Sequence, residues 1–129
     1  MATEILINDG GAPARILPFT AVSAITAGDA LTMDSAGKVV PGASGLATGF
    51  KEYILGYALT TVSADELCSV ITGKGVMLKA NADATVLTGK GAHLSTTAGQ
   101  LAVNTGLGQP HAVCTSGAAA IALKLIVTV

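Results

Sequence analysis

Thr26-Ala-Gly-Asp-Ala-Leu-Thr-Met-Asp-Ser-Ala-Gly-Lys-Val-Val40 and Thr88-Gly-Lys-Gly-Ala-His-Leu-Ser-Thr-Thr-Ala-Gly-Gln-Leu-Ala102 are the stretches that decide the fold. They lie 62 residues apart, and at that spacing Thr26/Thr88, Ala30/Ala92, Ala36/Ala98 and Gly37/Gly99 coincide. In each, a short alternating run meets a turn of small polar residues ending in Gly, and a second short run follows. That is the signature of a strand–turn–strand unit. A further hairpin pattern follows each copy, Gly56–Ile71 in one half and His111–Val127 in the other. The expectation is an all-β fold: a small β-barrel or β-sandwich of short antiparallel strands, built from two similar halves.

Composition agrees with that frame. The 129 residues suffice for one domain. Half are apolar but only 3% are aromatic, so the core must be thin and built largely from Ala and Val. Charged residues make up 12%, against about 25% in an average domain. So few charges predict that surface is hidden against other copies or a larger partner. Seven scattered Lys and Arg residues and a net charge of −1 leave no electrostatic footprint for nucleic acid. No apolar run approaches the ~18 residues that span a bilayer. Glu4 and Asp9 stand where a secretion signal would be basic and greasy, so cytoplasmic synthesis is expected.

Between the turn signals, strands are predicted at Ala30–Met33, Lys38–Val40, Tyr53–Thr60, Glu66–Thr72, Val76–Lys79, Ala92–Ser95, Leu101–Val103, Ala112–Thr115 and Ile121–Val129. Ser63-Ala-Asp-Glu resembles a helix capping box, but the β-branched, strand-prone residues after it favour a turn. Residues 1–20 stand apart. A β-prone opening is broken by Asp9-Gly-Gly-Ala-Pro-Ala, and Pro13 and Pro18 forbid helix and disfavour a central strand. The predicted organisation is an extended N-terminal arm over residues 1–20 and a single β domain over 21–129.

Candidate chemistry is sparse. Thr-Gly-Lys-Gly at 72–75 and 88–91 invites a phosphate-loop reading, but Gly rather than Ser or Thr follows each Lys, and strands rather than helices follow. Both are β-turns with a solvated Lys. His93 and His111 lack a nucleophile elbow and metal-ligand spacing. The only adjacent carboxylates, Asp65 and Glu66, would point to opposite faces of a strand. Cys68 and Cys114 read as buried reduced thiols, with a disulfide between them left open. No catalytic residue, cofactor or metal site is expected.

Two places suggest contact instead. Phe50, Tyr53 and Tyr57 are three of the four aromatics, gathered beside Lys51 and Glu52. Aromatics with a polar handle either anchor a core or concentrate at protein interfaces. The arm adds Arg15, Pro18 and Phe19, on a segment able to lie along a partner's strand edge. The interface candidates are therefore Arg15, Pro18, Phe19, Phe50, Lys51 and Tyr53.

The phrases Ile25-Thr-Ala-Gly-Asp-Ala-Leu, Gly37-Lys-Val-Val-Pro, Ile54-Leu-Gly-Tyr-Ala-Leu-Thr and Glu66-Leu-Cys-Ser-Val-Ile-Thr give the chain a further likeness. With its Ala/Gly/Thr-rich composition and arm, it resembles the capsid cement, or head decoration, proteins of tailed bacteriophages. The likeness lies in β phrasing along nearly the whole chain, with no signature motif. It implies a structural virion protein without catalysis, bound to the outer capsid surface and clamping neighbouring major capsid subunits, often as a homotrimer. The implied partners are the major capsid protein and the chain itself. Alternatives are another virion module, such as a tail-associated β domain, or a small-ligand-binding β-barrel.

Overall fold

The computed structural model describes residues 5–8, 15–42, 54–103 and 110–129, with only the backbone at 6–8. These form eleven strands: β1 (Leu6–Asn8), β2 (Arg15–Thr20), β3 (Ala30–Met33), β4 (Val39–Pro41), β5 (Gly56–Ala58), β6 (Leu67–Thr72), β7 (Met77–Ala82), β8 (Gly91–Leu94), β9 (Leu101–Val103), β10 (Ala112–Ser116) and β11 (Ala122–Thr128). The fold is all-β, as the alternation and turn spacing predict.

The two halves are copies in topology as well as in phrasing. The first sheet runs β2-β6-β5-β3-β4, and the second runs β7-β11-β10-β8-β9 with β1 added outside β7. Register is preserved too. Leu31 faces Pro41 and Gly56, as Ala92 faces Val103 and Ala112. Ala58 faces Val70, as Cys114 faces Ile126, and Phe19 faces Cys68, as Ala80 faces Lys124. Each sheet also closes on itself by the same parallel contact. Ala21 bridges Val39 while Val22 N–H donates to Val39 O at 2.9 Å. Ala82 bridges Leu101 while Asp83 N–H donates to Leu101 O at 2.9 Å. The molecule is two small five-stranded barrels in tandem.

One detail of the repeat is corrected. At a fixed spacing of 62, Asp34 would face Thr96, yet the structure matches Asp34 to Ser95. Asp34 Oδ1 accepts Ala36 N–H at 2.9 Å, and Ser95 Oγ accepts Thr97 N–H at 3.1 Å. Both side chains start a turn by capturing the amide two residues on. The second turn then holds one extra residue before Gly37 and Gly99 realign, at φ +80° and +82°, where the left-handed backbone favours glycine.

The interiors correspond residue by residue. Ala21, Ile25, Leu31, Val39, Ala58, Cys68 and Val70 fill the first barrel. At the matching positions the second has Ala82, Val86, Ala92, Leu101, Cys114, Lys124 and Ile126, all buried. Losses of volume (Leu31 to Ala92, Ile25 to Val86) are offset by gains (Val39 to Leu101, Ala58 to Cys114, Val70 to Ile126), as a close-packed core requires. The barrels also share a face. Ala30, Tyr57 and Ile71 of the first pack in one cluster with Val76, Leu78 and Ala80 of the second.

The stretch expected as an extended arm is extended where it is described, and the chain itself supplies the surface it lies on. β1 pairs with β7, and β2 pairs with β6 along all six of its residues. Pro18 is tolerated because β2 is an edge strand. Arg15 O and Ala21 N–H both bond toward β6, so the intervening even-numbered residues, Pro18 included, turn their backbone away from it.

Candidate functional site

Among the described residues, the β2–β6 ribbon carries exposed apolar side chains on its surface. Alternation sends Cys68 and Val70 into the first barrel, so Leu67 must face out, and it is 68% exposed. Farther along β2, Ile16 lies on the same face as Leu67 and is 41% exposed, while Leu17, in register with Val70 on the opposite face, is still 38% exposed near the strand's start. Among the candidates from sequence, Arg15 and Pro18 lie exposed on this ribbon, while Phe19 turns inward and packs against the first barrel's core. Phe50, Lys51 and Tyr53 lie outside the described residues. Leu67 and Ile16 were not singled out from sequence, although the Leu-Cys-Ser-Val-Ile alternation carries the signal for Leu67. Pro18 removes an amide from the open edge and so discourages strand addition. What the ribbon offers is apolar side chains.

A second arrangement joins the barrels. Asn81 N–H donates to Gly28 O at 2.8 Å, Ala30 N–H to Gly99 O at 3.0 Å, and Gly99 N–H to Gly42 O at 2.8 Å. Asp29 is buried among them, its carboxylate accepting Thr26 N–H at 3.0 Å and Asn81 Nδ2–H at 3.3 Å. Burial pushes its carboxyl above the usual range, against the opposing pull of those two hydrogen bonds.

A third lies in the second barrel. Lys124 is 3% exposed, and its Nζ donates to Asp83 O at 2.6 Å and Val86 O at 2.7 Å. In the first barrel the matching Ile25 is held by backbone alone, its N–H and O both bonded to Val62 at 2.9 Å. The residue matching Val62 is Ala118, which is exposed, so the ammonium takes over the missing backbone donor's role. Lys124 therefore has a structural explanation.

Between the barrels lies a groove of about 390 Å3, lined by Ile54, Leu55, Tyr57, Ile71, Lys74 and His111 among others. The Tyr57 hydroxyl has no hydrogen-bond partner among the described residues, and burial raises its pKa above the ordinary phenol value. His93 of β8 and His111, just before β10, meet with ring centroids 4.7 Å apart. Among the described residues, no three His, Cys, Asp or Glu side chains gather as a metal site. Cys68 and Cys114 are free and buried in different barrels, and burial pushes the Cys68 thiol up. The Lys of each Thr-Gly-Lys-Gly turn, Lys74 and Lys90, is exposed.

The architecture defines a class: a tandem β-barrel module whose interiors are filled by its own side chains. No family model matches the chain, and no curated protein is significantly similar to it. No helix among the described residues is long and apolar enough to cross a membrane.

Proposed function

We propose that this chain is a structural binding module that cements a phage capsid, attaching to the outer surface of the head and holding neighbouring major capsid subunits. The supporting observation is the exposed apolar tip of β2. Ile16 and Leu17, exposed on the two faces of the strand next to Arg15, leave both sides of this tip apolar, in a chain with unusually few charges. Such a tip excludes water from a partner without a large desolvation cost. Several tips on one assembly would multiply a modest contact. The filled interiors also favour a surface function over a lumenal one.

The test is co-sedimentation with expanded, undecorated heads of the phage that encodes the chain. Binding should raise the temperature at which the heads disrupt, and the pair Ile16→Asp/Leu17→Asp should abolish both effects. Full binding by that variant would refute the tip as the contact. Absence of binding by the unmodified protein would refute the function. The small-ligand alternative has one observation in its favour, the Tyr57 hydroxyl beside the groove, unpartnered among the described residues.

A further inference from the structure

The junction between the two barrels is asymmetric, and its parts exist twice. The first barrel contributes the turn Ala27–Gly28–Asp29, and the second contributes the open side of β7 together with Leu123. Gly28 O accepts Asn81 N–H, and the Asp29 carboxylate accepts from the Asn81 side chain. Leu123 packs so closely on Gly28 that a Cβ there would collide with it.

Because the barrels are copies, a second turn of the same build stands in the second barrel. Gly28 N–H donates to Ala58 O at 2.8 Å, and Gly89 N–H donates to Cys114 O at 2.8 Å. Asp29 N–H donates to Thr26 O at 3.0 Å, and Lys90 N–H donates to Leu87 O at 3.0 Å. Gly28 and Gly89 share a positive φ, +94° and +84°. Yet Thr88, Gly89 and Lys90 are exposed, and a Cβ on Gly89 would meet nothing within 4 Å.

The receiving surface is also duplicated. The positions matching Asn81 and Leu123 are Thr20 and Leu67, on the β2–β6 ribbon of the first barrel. Leu123 is 37% exposed with its partner turn in place, whereas Leu67 is 68% exposed without one. Thr20 N–H points away from β6, as Asn81 N–H points away from β11.

We propose that a second copy of this chain docks head to tail on these surfaces, the Leu87–Lys90 turn of one copy covering Leu67 and Thr20 of the next. Gly89 O accepts Thr20 N–H, and Leu67 seats against Gly89 as Leu123 seats against Gly28. The Asp29–Asn81 pair becomes Lys90 donating to the Thr20 hydroxyl, a polarity swap that keeps a hydrogen bond. The surfaces are different patches, so each copy adds in one sense, giving a ring if the rotation closes and a filament if it does not. The contact needs no capsid, so its failure leaves the cement reading standing, and the converse also holds.

The test has two arms on the full chain. Sedimentation of the unmodified protein from low to high micromolar concentration should show assembly beyond the monomer. Leu67→Asp should weaken that association roughly tenfold or more, as the loss of an anchoring side chain does. Because Leu67 is exposed, circular dichroism and melting of the variant should be unchanged at concentrations where the unmodified protein is still monomeric. In the second arm, Leu67→Cys and Thr88→Cys proteins are oxidised separately and mixed. Disulfide-linked pairs should form only in the mixture. A monomer throughout, full assembly by Leu67→Asp, or Leu67→Cys pairing with itself would each overturn the proposal.

Discussion

Replacing Lys124 with Met tests whether a buried ammonium stands in for a backbone bridge. Met keeps most of the stem that packs beside Gly117 and removes the Nζ that donates at 2.6 and 2.7 Å to Asp83 O and Val86 O. A hydrogen bond from a charged donor is worth about 1.5–3 kcal/mol, and a buried carbonyl left unpaired costs about 1–3 kcal/mol. Val86 O is in the buried bond and bears that cost, while Asp83 O is only partly buried and can be rehydrated. Against this, Met removes an ammonium desolvated without a carboxylate partner, which recovers part of the loss. The carbonyl term should win, for a net destabilisation of about 2 kcal/mol, a sizeable fraction of a domain's stability. Urea unfolding followed by circular dichroism should show a lower midpoint at unchanged slope. Equal or greater stability in the variant would refute the reasoning, because the ammonium would then be a burden and not a brace.

Four further outcomes are expected. Tyr57→Phe removes a buried hydroxyl that has no partner among the described residues and should be neutral or stabilising by up to about 1 kcal/mol; a clear loss of stability would reveal a partner. Gly56→Ala places a Cβ against the Ile71 backbone oxygen, which cannot swing aside, and should cost more than about 2 kcal/mol. Gly75→Ala meets no atom and strains only φ, so its loss of melting temperature should be smaller. For Asp29 the raised carboxyl means that folding favours the protonated form. That contribution is fully present below the unfolded carboxylate range and is lost as pH rises through the folded value. Asp29→Asn should therefore match or exceed the unmodified protein at neutral pH and lose that advantage on acidification; parallel urea midpoints across pH would count against it.

Much of the architecture is legible locally. The predicted β3–β4 and β8–β9 hairpins form with Gly37 and Gly99 at their turns, because turn chemistry acts over two to four residues and the strand period is two. Ser63–Glu66 is a turn, with Glu66 Oε1 accepting Ser63 N–H at 2.6 Å and Asp65 at φ +67°. The shift of the repeat by one residue at Ser95 escapes a fixed-spacing comparison, since Asp and Ser start the same turn with different side chains. The candidate site is legible only in part. Arg15 and Pro18 are exposed, but Phe19 faces the core, and the residues that make the ribbon apolar are Ile16, Leu17 and Leu67.

By itself the sequence determined that this protein is all-β, that it is made of two like halves, and where its turns fall. Those properties rest on local conformational preference and on a repeat that can be counted. Only the tertiary structure decided that each half closes into its own barrel, that residues 15–20 belong to the first of them, and that Lys124 holds together the second. It alone showed that one barrel's turn is occupied while its copy stands open. Closure and docking join residues far apart in the chain, and which copy of a surface is covered is set by how the barrels pack.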